Sequence, residues 1–266
     1  MGVVKRVAQS FLLNRRITLG KAASTEAIAE FLTTIRPVET EHPLIRVGGD
    51  ADGGYLIPND LEGIAACFSP GVATTAVFEV GMTARGIQCF LADASVEAPP
   101  IEGPLLDFER KFLGTRVQGN VITLADWVQR KAPGTSDLLL QMDIESAEYR
   151  VVLSTSPELL RRFRIMVIEF HHLASIYDRS GLDLVSATFA RIMDDFDIVH
   201  IHPNNRIRPV AYKSFVTPPL LEFTFMRRDR ITSRRPANRF PHPLDRTNFA
   251  GRPDFELPSC WWRHLC

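Results

Sequence analysis

Two patterns of apolar spacing alternate along this chain. Short continuous apolar runs at 64–68, 87–91, 138–142 and 164–170 have the length of buried strands. Around them lie segments with helical spacing at 24–32, 74–82, 107–113 with 123–131, and 181–196. The first opens on Ser24-Thr25-Glu26, which supplies capping residues, and Ile35-Arg36-Pro37 stops it. In the last, Leu182, Val185, Phe189, Ile192 and Phe196 fall on one side. Ser156-Pro157-Glu158 reads as an N-cap with proline in the first helical position. Segments 197–202 and 221–226 predict two further strands, and the glycine-dense stretch 46–55 predicts a loop. Strand and helix alternating in this way imply an α/β fold, a mainly parallel central sheet with helices on both faces.

A chain of 266 residues with 45% hydrophobic content can bury one large core. We read 46–226 as that core and 1–45 as an N-terminal helical extension. The Arg-, Pro- and Asn-rich segment 227–266 reads as an extended tail packed on it. Lys plus Arg and Asp plus Glu each number 31, so no net field draws nucleic acid or an anionic membrane to the whole surface. The four cysteines follow no metal-knuckle or disulfide spacing, which implies a reducing compartment. Segment 1–16 lacks a sustained apolar stretch and a cleavage site, and no later run has the length of a membrane span. The expectation is a cytoplasmic protein with no membrane insertion and no nucleic-acid partner, for which homo-oligomerisation stays open.

In an open parallel sheet, ligands bind beyond the carboxyl ends of the strands, and polar residues gather there repeatedly. Asp52, Gly53, Gly54 and Tyr55 precede the first core strand, and Ser69, Pro70 and Gly71 follow it. Asp93 follows the second, Asp143 and Glu145 a central one, and His171 and His172 the next. Gly71 either lets backbone approach a ligand closely or completes an ordinary tight turn. Asp93 offers acceptors to a ribose diol or is a solvated turn residue. Asp143, Glu145 and Glu148 crowd one strand end, at a cost in free energy unless a cation or donor groups compensate. Asp143, Glu145 and His171 form a candidate ligand set for Mg²⁺ or Mn²⁺, since oxygen and imidazole donors suit such ions. The plainer reading has one carboxylate capping the next helix and two in solvent. His171 can also serve as a general base toward a hydroxyl. His172, His200, His202 and Asn204 are candidates for the substrate side, with strand-end hydrogen bonding as the structural alternative.

Three segments, Asp52-Gly53-Gly54-Tyr55, 68–79 and above all Met142-Asp143-Ile144-Glu145-Ser146-Ala147-Glu148-Tyr149, together resemble the FkbM-like methyltransferase family. The resemblance implies a Rossmann-like class I methyltransferase fold, usually a seven-stranded sheet, with an antiparallel last strand. It also implies methyl transfer from S-adenosylmethionine to oxygen, often of a carbohydrate or natural product. Asp143 and His171 would then carry the chemistry, and Asp52, Gly53, Gly54, Tyr55, Ser69, Pro70, Gly71, Glu79 and Asp93 would line the cofactor. The sequence departs from the family pattern in three places. Ser146 replaces a glycine of the Asp-Ile-Glu-Gly-Ala-Glu signature, the glycine-rich loop is reduced to Ser69-Pro70-Gly71-Val72-Ala73, and Asp93 replaces a glutamate. Serine at position 146 either has ordinary dihedrals or bears strain. The pattern His200-Ile201-His202-Pro203-Asn204-Asn205, with Cys260-Trp261-Trp262-Arg263, looks like a bacterial branch of the family.

The expected partner is a small-molecule or carbohydrate acceptor. A noncatalytic carbohydrate-binding or assembly protein on the same scaffold is one alternative, because a fold does not specify activity. A metal-dependent hydrolase or glycosyl-transferring enzyme using Asp143, Glu145 and His171 is another. Gly71 has no accompanying Walker lysine-serine pair, which argues against an ATPase.

Overall fold

Continuous apolar strands need cover on both faces. In the computed structural model, which describes residues 20–263, four such strands and three more polar ones form one sheet. In chain order they are β1 (Ala66–Pro70), β2 (Gln88–Ala92), β3 (Leu106–Glu109), β4 (Leu138–Met142), β5 (Phe163–Phe170), β6 (Phe196–Pro203) and β7 (Leu221–Arg227). Their spatial order is β6-β7-β5-β4-β1-β2-β3. All neighbours from β5 to β3 run parallel, and β7 is antiparallel to both β5 and β6. The sheet is therefore mixed, mostly parallel and broadly Rossmann-like. The readings of 1–16 and of Cys266 lie outside the described residues.

Side chains alternate across each strand, so neighbouring positions feed different cores. Phe68, Leu140, Met166, Ile168 and Phe223 point into a large cluster with helices α1 (Thr25–Thr34), α3 (Leu124–Lys131), α4 (Glu148–Ser154) and α6 (Arg179–Met193). Cys67, Leu139, Ile165 and Val167 join the other cluster with α2 (Val77–Thr83) and a hairpin of Leu44–Val47 and Tyr55–Pro58. The short helix α5 (Pro157–Leu160) starts as its sequence predicts, with the Ser156 hydroxyl accepting from Leu159 N–H. Ser24 caps α1 in the same way through Ala27 N–H.

The structure corrects the reading of 107–113 as helical. That stretch splits between β3 and a second strand, Phe112–Gly114. Its charged residues favour helix in isolation, but period-2 alternation prevails once an edge position is open. Asp107 and Glu109 pair with Lys131 and Arg130 of α3, which satisfies them on the sheet rim. The predicted loop 46–55 gives Arg46, Val47 and Tyr55 to the hairpin strands and keeps only its glycine-rich centre as a turn. Among the described residues, no helix is long and apolar enough to cross a membrane.

The chain leaves β1 for β2 and β3 on one side, then crosses back to β4 on the other. The crevice between the ends of β1 and β4 is thus a topological switch point. Gly71 closes that seam. Its N–H donates to Ala92 O at 2.9 Å, and Asp143 N–H donates to Pro70 O at 3.2 Å. Gly71 has φ +92°, and a Cβ there would fall 1.5 Å from the Asp143 carbonyl oxygen. This glycine lets the ends of β1 and β4 close on each other, with the Asp143 carbonyl occupying the place of a side chain. We expect Gly71→Ala to destabilise the fold by more than about 2 kcal/mol, combining a left-handed backbone with a backbone clash. Urea unfolding measures this, and a loss under about 0.5 kcal/mol, the range of neutral surface changes, would contradict the seam.

Candidate active site

A cleft of about 390 Å³ opens at the switch point, lined among others by Asp52, Gly53, Gly71, Asp143, Glu169 and His171. Strand register explains the polar row from which the cleft takes Asp143 and Glu169. Glu169 on β5 lies directly opposite Glu222 on β7, and Glu222 opposite His202 on β6. Ile168 pairs with Met142, so Asp143, one residue past β4, extends the same row. Asp143, Glu169, Glu222 and His202 therefore cross four neighbouring strands at the carboxyl ends of the parallel ones. Burial, reinforced by Asp143 and Glu222, holds the Glu169 carboxyl well above its usual range. Burial also pushes Glu222 up to about 7 against the pull of His202. Asp143 is likewise pushed up to about 7 by burial, opposed by His171 and reinforced by Glu148 and Glu145. Its Oδ1 is buried without a hydrogen-bond partner.

Glu148 organises the loop that follows β4. It is wholly buried, and its Oε1 accepts from Ile144 N–H at 3.0 Å and Ser146 N–H at 3.2 Å. The same oxygen lies 3.1 Å from His171 Nδ1. That contact places the proton on Nδ1 and aims Nε2 toward Glu145 Oε2 at 3.4 Å, Asp143 Oδ1 at 3.7 Å and Glu169 Oε1 at 3.7 Å. Burial opposes a charge on His171, but Glu148, Asp143 and Glu145 outweigh it and raise the imidazole above its ordinary pKa. Asp143, Glu169 and His171 each offer a ligand atom within 4.8 Å of the others, as do Asp52, Glu169 and Glu222. The sequence-predicted pair Asp143 and His171 is thus together, with the exposed Glu145 beside it and Glu169 as an added neighbour.

A second buried network stands against the cleft wall. Ser69 Oγ lies within hydrogen-bonding reach of both Glu79 Oε1 and Gln141 Oε1, the latter at 2.6 Å, and Gln141 Nε2 donates to Tyr55 OH at 3.3 Å. A hydroxyl has one proton, so one of its two oxygen neighbours must donate. Burial raises the Glu79 carboxyl, and a protonated Glu79 donating to Ser69 completes the chain in one direction. Tyr55 turns its ring edge to Phe78 at 5.5 Å and packs inside the hairpin core.

The backbone around the cleft is strained. Among the described residues five non-glycine positions have positive φ, and four of them, Ala73 (+41°), Glu145 (+52°), Ser146 (+79°) and His172 (+55°), surround the cleft. Such strain persists only where surrounding contacts over-determine it, and it clusters at functional sites. Ser146 therefore resolves the sequence ambiguity on the strained side.

Other expected site residues lie elsewhere or act differently. Asp93 sits off the cleft lining with both oxygens engaged. Its Oδ2 accepts from Ala73 N–H at 2.8 Å, and its Oδ1 from Ser95 N–H and Oγ–H at 2.7 and 2.6 Å. The geometry gives it the shape of the 72–75 loop before any ribose. His200 and His202 face the tail instead of the cleft, against Asp245 and Asn248. His172 and Asn204 do line the cleft, and Asn204 Nδ2 donates to Glu169 Oε2 at 3.1 Å. Asp52 holds the cleft rim through Arg206 at 3.2 Å, and Gly53 and Gly54 form the turn beside it. Sequence reasoning missed Glu169 and Glu222. Each is a single carboxylate inside an apolar strand, the kind of buried polar position that carries information.

No protein-family model matches the chain, and no curated protein matches it. Solved structures are similar at low identity. A protein described as a hemolysin from Streptococcus thermophilus is 11% identical with a TM-score of 0.38, over 72% of this chain and 64% of that one. The chain thus spans under two thirds of that protein. A fibrillarin/Nop5p complex is 10% identical with a TM-score of 0.37, over 63% of this chain and 74% of that one. The N-methyltransferase NodS from Bradyrhizobium japonicum WM9 is 9% identical with a TM-score of 0.34, over 62% and 86%.

Two measurements test this geometry. Ser146→Gly relieves a left-handed strain, and we expect a gain of about 1 kcal/mol in urea unfolding; a loss would mean that the serine contributes more than it strains. The second is pH dependence. The folded chain keeps protons on Asp143, Glu169 and Glu222 that the unfolded chain releases above about pH 4. His171 is raised too, so its stabilisation is lost as pH climbs through the folded value. Both effects share a sign, and the melting temperature should fall as pH goes from about 5 to about 9. A flat or rising profile in calorimetric melts would refute the raised values.

Proposed function

We propose that this chain is an S-adenosylmethionine-dependent O-methyltransferase of the class I, FkbM-like type, acting on a hydroxyl of a small molecule or carbohydrate. One observation carries the reading. The cleft lies at the switch point of a seven-stranded sheet whose last strand is reversed, the arrangement the sequence resemblance implies. The acid-rich wall, with a buried and unpartnered oxygen on Asp143, suits a ligand bearing sulfonium and ammonium charge. Gly53, Gly71, Ala73 and Glu79 line the same cleft and would hold the cofactor with Asp52. Asp93 contributes by fixing the 72–75 loop. When bound, S-adenosylmethionine supplies an electrophilic methyl group.

The chain's own part is to orient an acceptor hydroxyl and take its proton. With Nδ1–H held by Glu148, His171 Nε2 presents its lone pair to the cleft and can act as the base. In the alternative arrangement the same Nε2, with Asp143 and Glu169, would hold a divalent ion, Mg²⁺ or Mn²⁺, whose charge favours the ionised acceptor. The same triad favours a second reading, a metal-dependent hydrolase, and the two separate on cofactor binding. Calorimetry of the full chain with S-adenosylmethionine and S-adenosylhomocysteine, with and without Mg²⁺ or Mn²⁺, should show binding. Metal binding without either nucleoside would favour the hydrolase. Once a hydroxyl panel yields an acceptor, His171→Ala should keep cofactor affinity and lose about 10²–10⁴-fold in transfer rate. The wild-type rate should rise with pH through a value above the ordinary histidine pKa, since the neutral ring is the active form and the folded pKa is raised. Full activity in His171→Ala would remove the residue from the reaction.

A further inference from the structure

On the outer edge of the sheet, the tail folds back over β6 and places Asp245 and Asn248 against His200 and His202. The hydrogen bonds there fix more than position. Asn248 Nδ2 donates to Glu222 Oε1 at 2.5 Å and to Asp52 Oδ1 at 3.3 Å. Turned over, the amide would set its oxygen against Asp52 Oδ1, so the nitrogen stays on that side. Its Oδ1 therefore faces His202 Nε2 at 2.9 Å, and that nitrogen must carry the hydrogen. The neutral ring is left with a lone pair on Nδ1. This atom is buried without a hydrogen-bond partner and faces Asp245 Oδ1 at 3.5 Å. Two acceptors oppose each other there, and something positive must lie between them.

We propose that His200, His202 and Asp245 bind a zinc-class divalent ion that ties the C-terminal tail to the edge strand. One ligand atom from each residue lies within 4.8 Å of the others. His200 Nε2 to Asp245 Oδ1 is 2.8 Å and His202 Nδ1 to the same oxygen is 3.5 Å. These values bracket the separation of about 3.3 Å between tetrahedral ligands at ~2.0–2.1 Å from zinc. Two imidazoles and one carboxylate match zinc's preference for nitrogen with oxygen, with a fourth position left open. The Asn248 contact to Nε2–H is the outer hydrogen bond that metal-ligating histidines usually make. A cleft of about 580 Å³ lined by His202, His242, Asp245 and Arg246 gives an entry path. His242 itself is turned toward the backbone, its Nδ1 accepting from Leu244 N–H at 3.2 Å.

The competing occupant is a proton, which would make His202 a cation paired with Asp245. Chelator-stripped full-length protein titrated with zinc chloride against a chromophoric chelator separates the two. We expect one zinc per chain that survives in His171→Ala. Asn248→Ala should weaken it about 10–100-fold, and His200→Gln or Asp245→Asn by more. Zinc that is lost in His171→Ala and kept in Asp245→Asn would overturn the assignment, and so would no uptake by folded wild type. Should the ligand variants fail to fold by circular dichroism, cobalt(II) in the wild-type chain decides. An intense visible band from a tetrahedral site, with chelator-dependent cleavage in segment 237–250, supports the tie. An octahedral spectrum, or proteolysis indifferent to chelator, refutes it.

Discussion

The shape of the cleft depends on one buried carboxylate. Glu148 has no exposed surface and presents a single oxygen to three groups, Ile144 N–H, Ser146 N–H and His171 Nδ1. A carboxylate buried without such donors is too costly to keep charged. With them, it pins the turn after β4, the start of α4 and the imidazole on the neighbouring strand to one point. Tyr149, the next residue, repeats the link by donating from its hydroxyl to His171 O at 2.7 Å. The orientation of His171 thus follows from the chain turn that precedes α4. No independent contact on the cleft side is needed to hold it.

From that point polar character spreads along the sheet by register. Asp143, Glu169, Glu222 and His202 occupy one transverse row, and facing glutamates on β5 and β7 would repel if both were ionised. The fold answers with neutral and hydrogen-bonded partners. Asn204 donates to Glu169 and Asn248 to Glu222. Asn248 also reaches Asp52 on the cleft rim, so a tail residue completes a network that begins at the end of β4. The tail is further anchored by Trp261, which is fully buried against Phe223 and donates from its indole N–H to Val216 O.

Strand positions and the helices beside them were legible because each apolar run had the length and context of a buried strand. Leu138–Met142 matches its predicted bounds, and the remaining central strands that were predicted shift by one or two residues at their ends. The 107–113 stretch was misread because its charges suit a helix, while its role was set by an open sheet edge and by Arg130 and Lys131 across the gap. Asp143 and His171 could be paired in advance since consecutive strand ends of a parallel sheet are neighbours. Glu169 and Glu222 could not be placed in the site, because the antiparallel insertion of β7 between β5 and β6 decides who faces whom. His200 and His202 were correctly read as sharing one strand face, and their rings lie 6.5 Å apart and nearly parallel. Which partner met that face was a matter of where the tail ran, and tail periodicity carried no such signal.

The glycine-poor turns after β1 and β4 gain a physical account from the same chemistry. Ala73 and Ser146 stand where a glycine would enter the left-handed region freely, yet both hold positive φ. In each case a neighbouring carboxylate accepts the N–H of the strained residue, Asp93 for Ala73 at 2.8 Å and Glu148 for Ser146 at 3.2 Å. A charge-assisted hydrogen bond contributes about 1.5–3 kcal/mol, comparable to the ~1–3 kcal/mol cost of a non-glycine residue in a sparsely populated region. The two effects offset, so each turn can hold a left-handed shape without the residue type that adopts it most easily. This coupling also explains why Asp93 does not reach the cleft. Its oxygens are committed to holding a backbone that glycine would have held by itself.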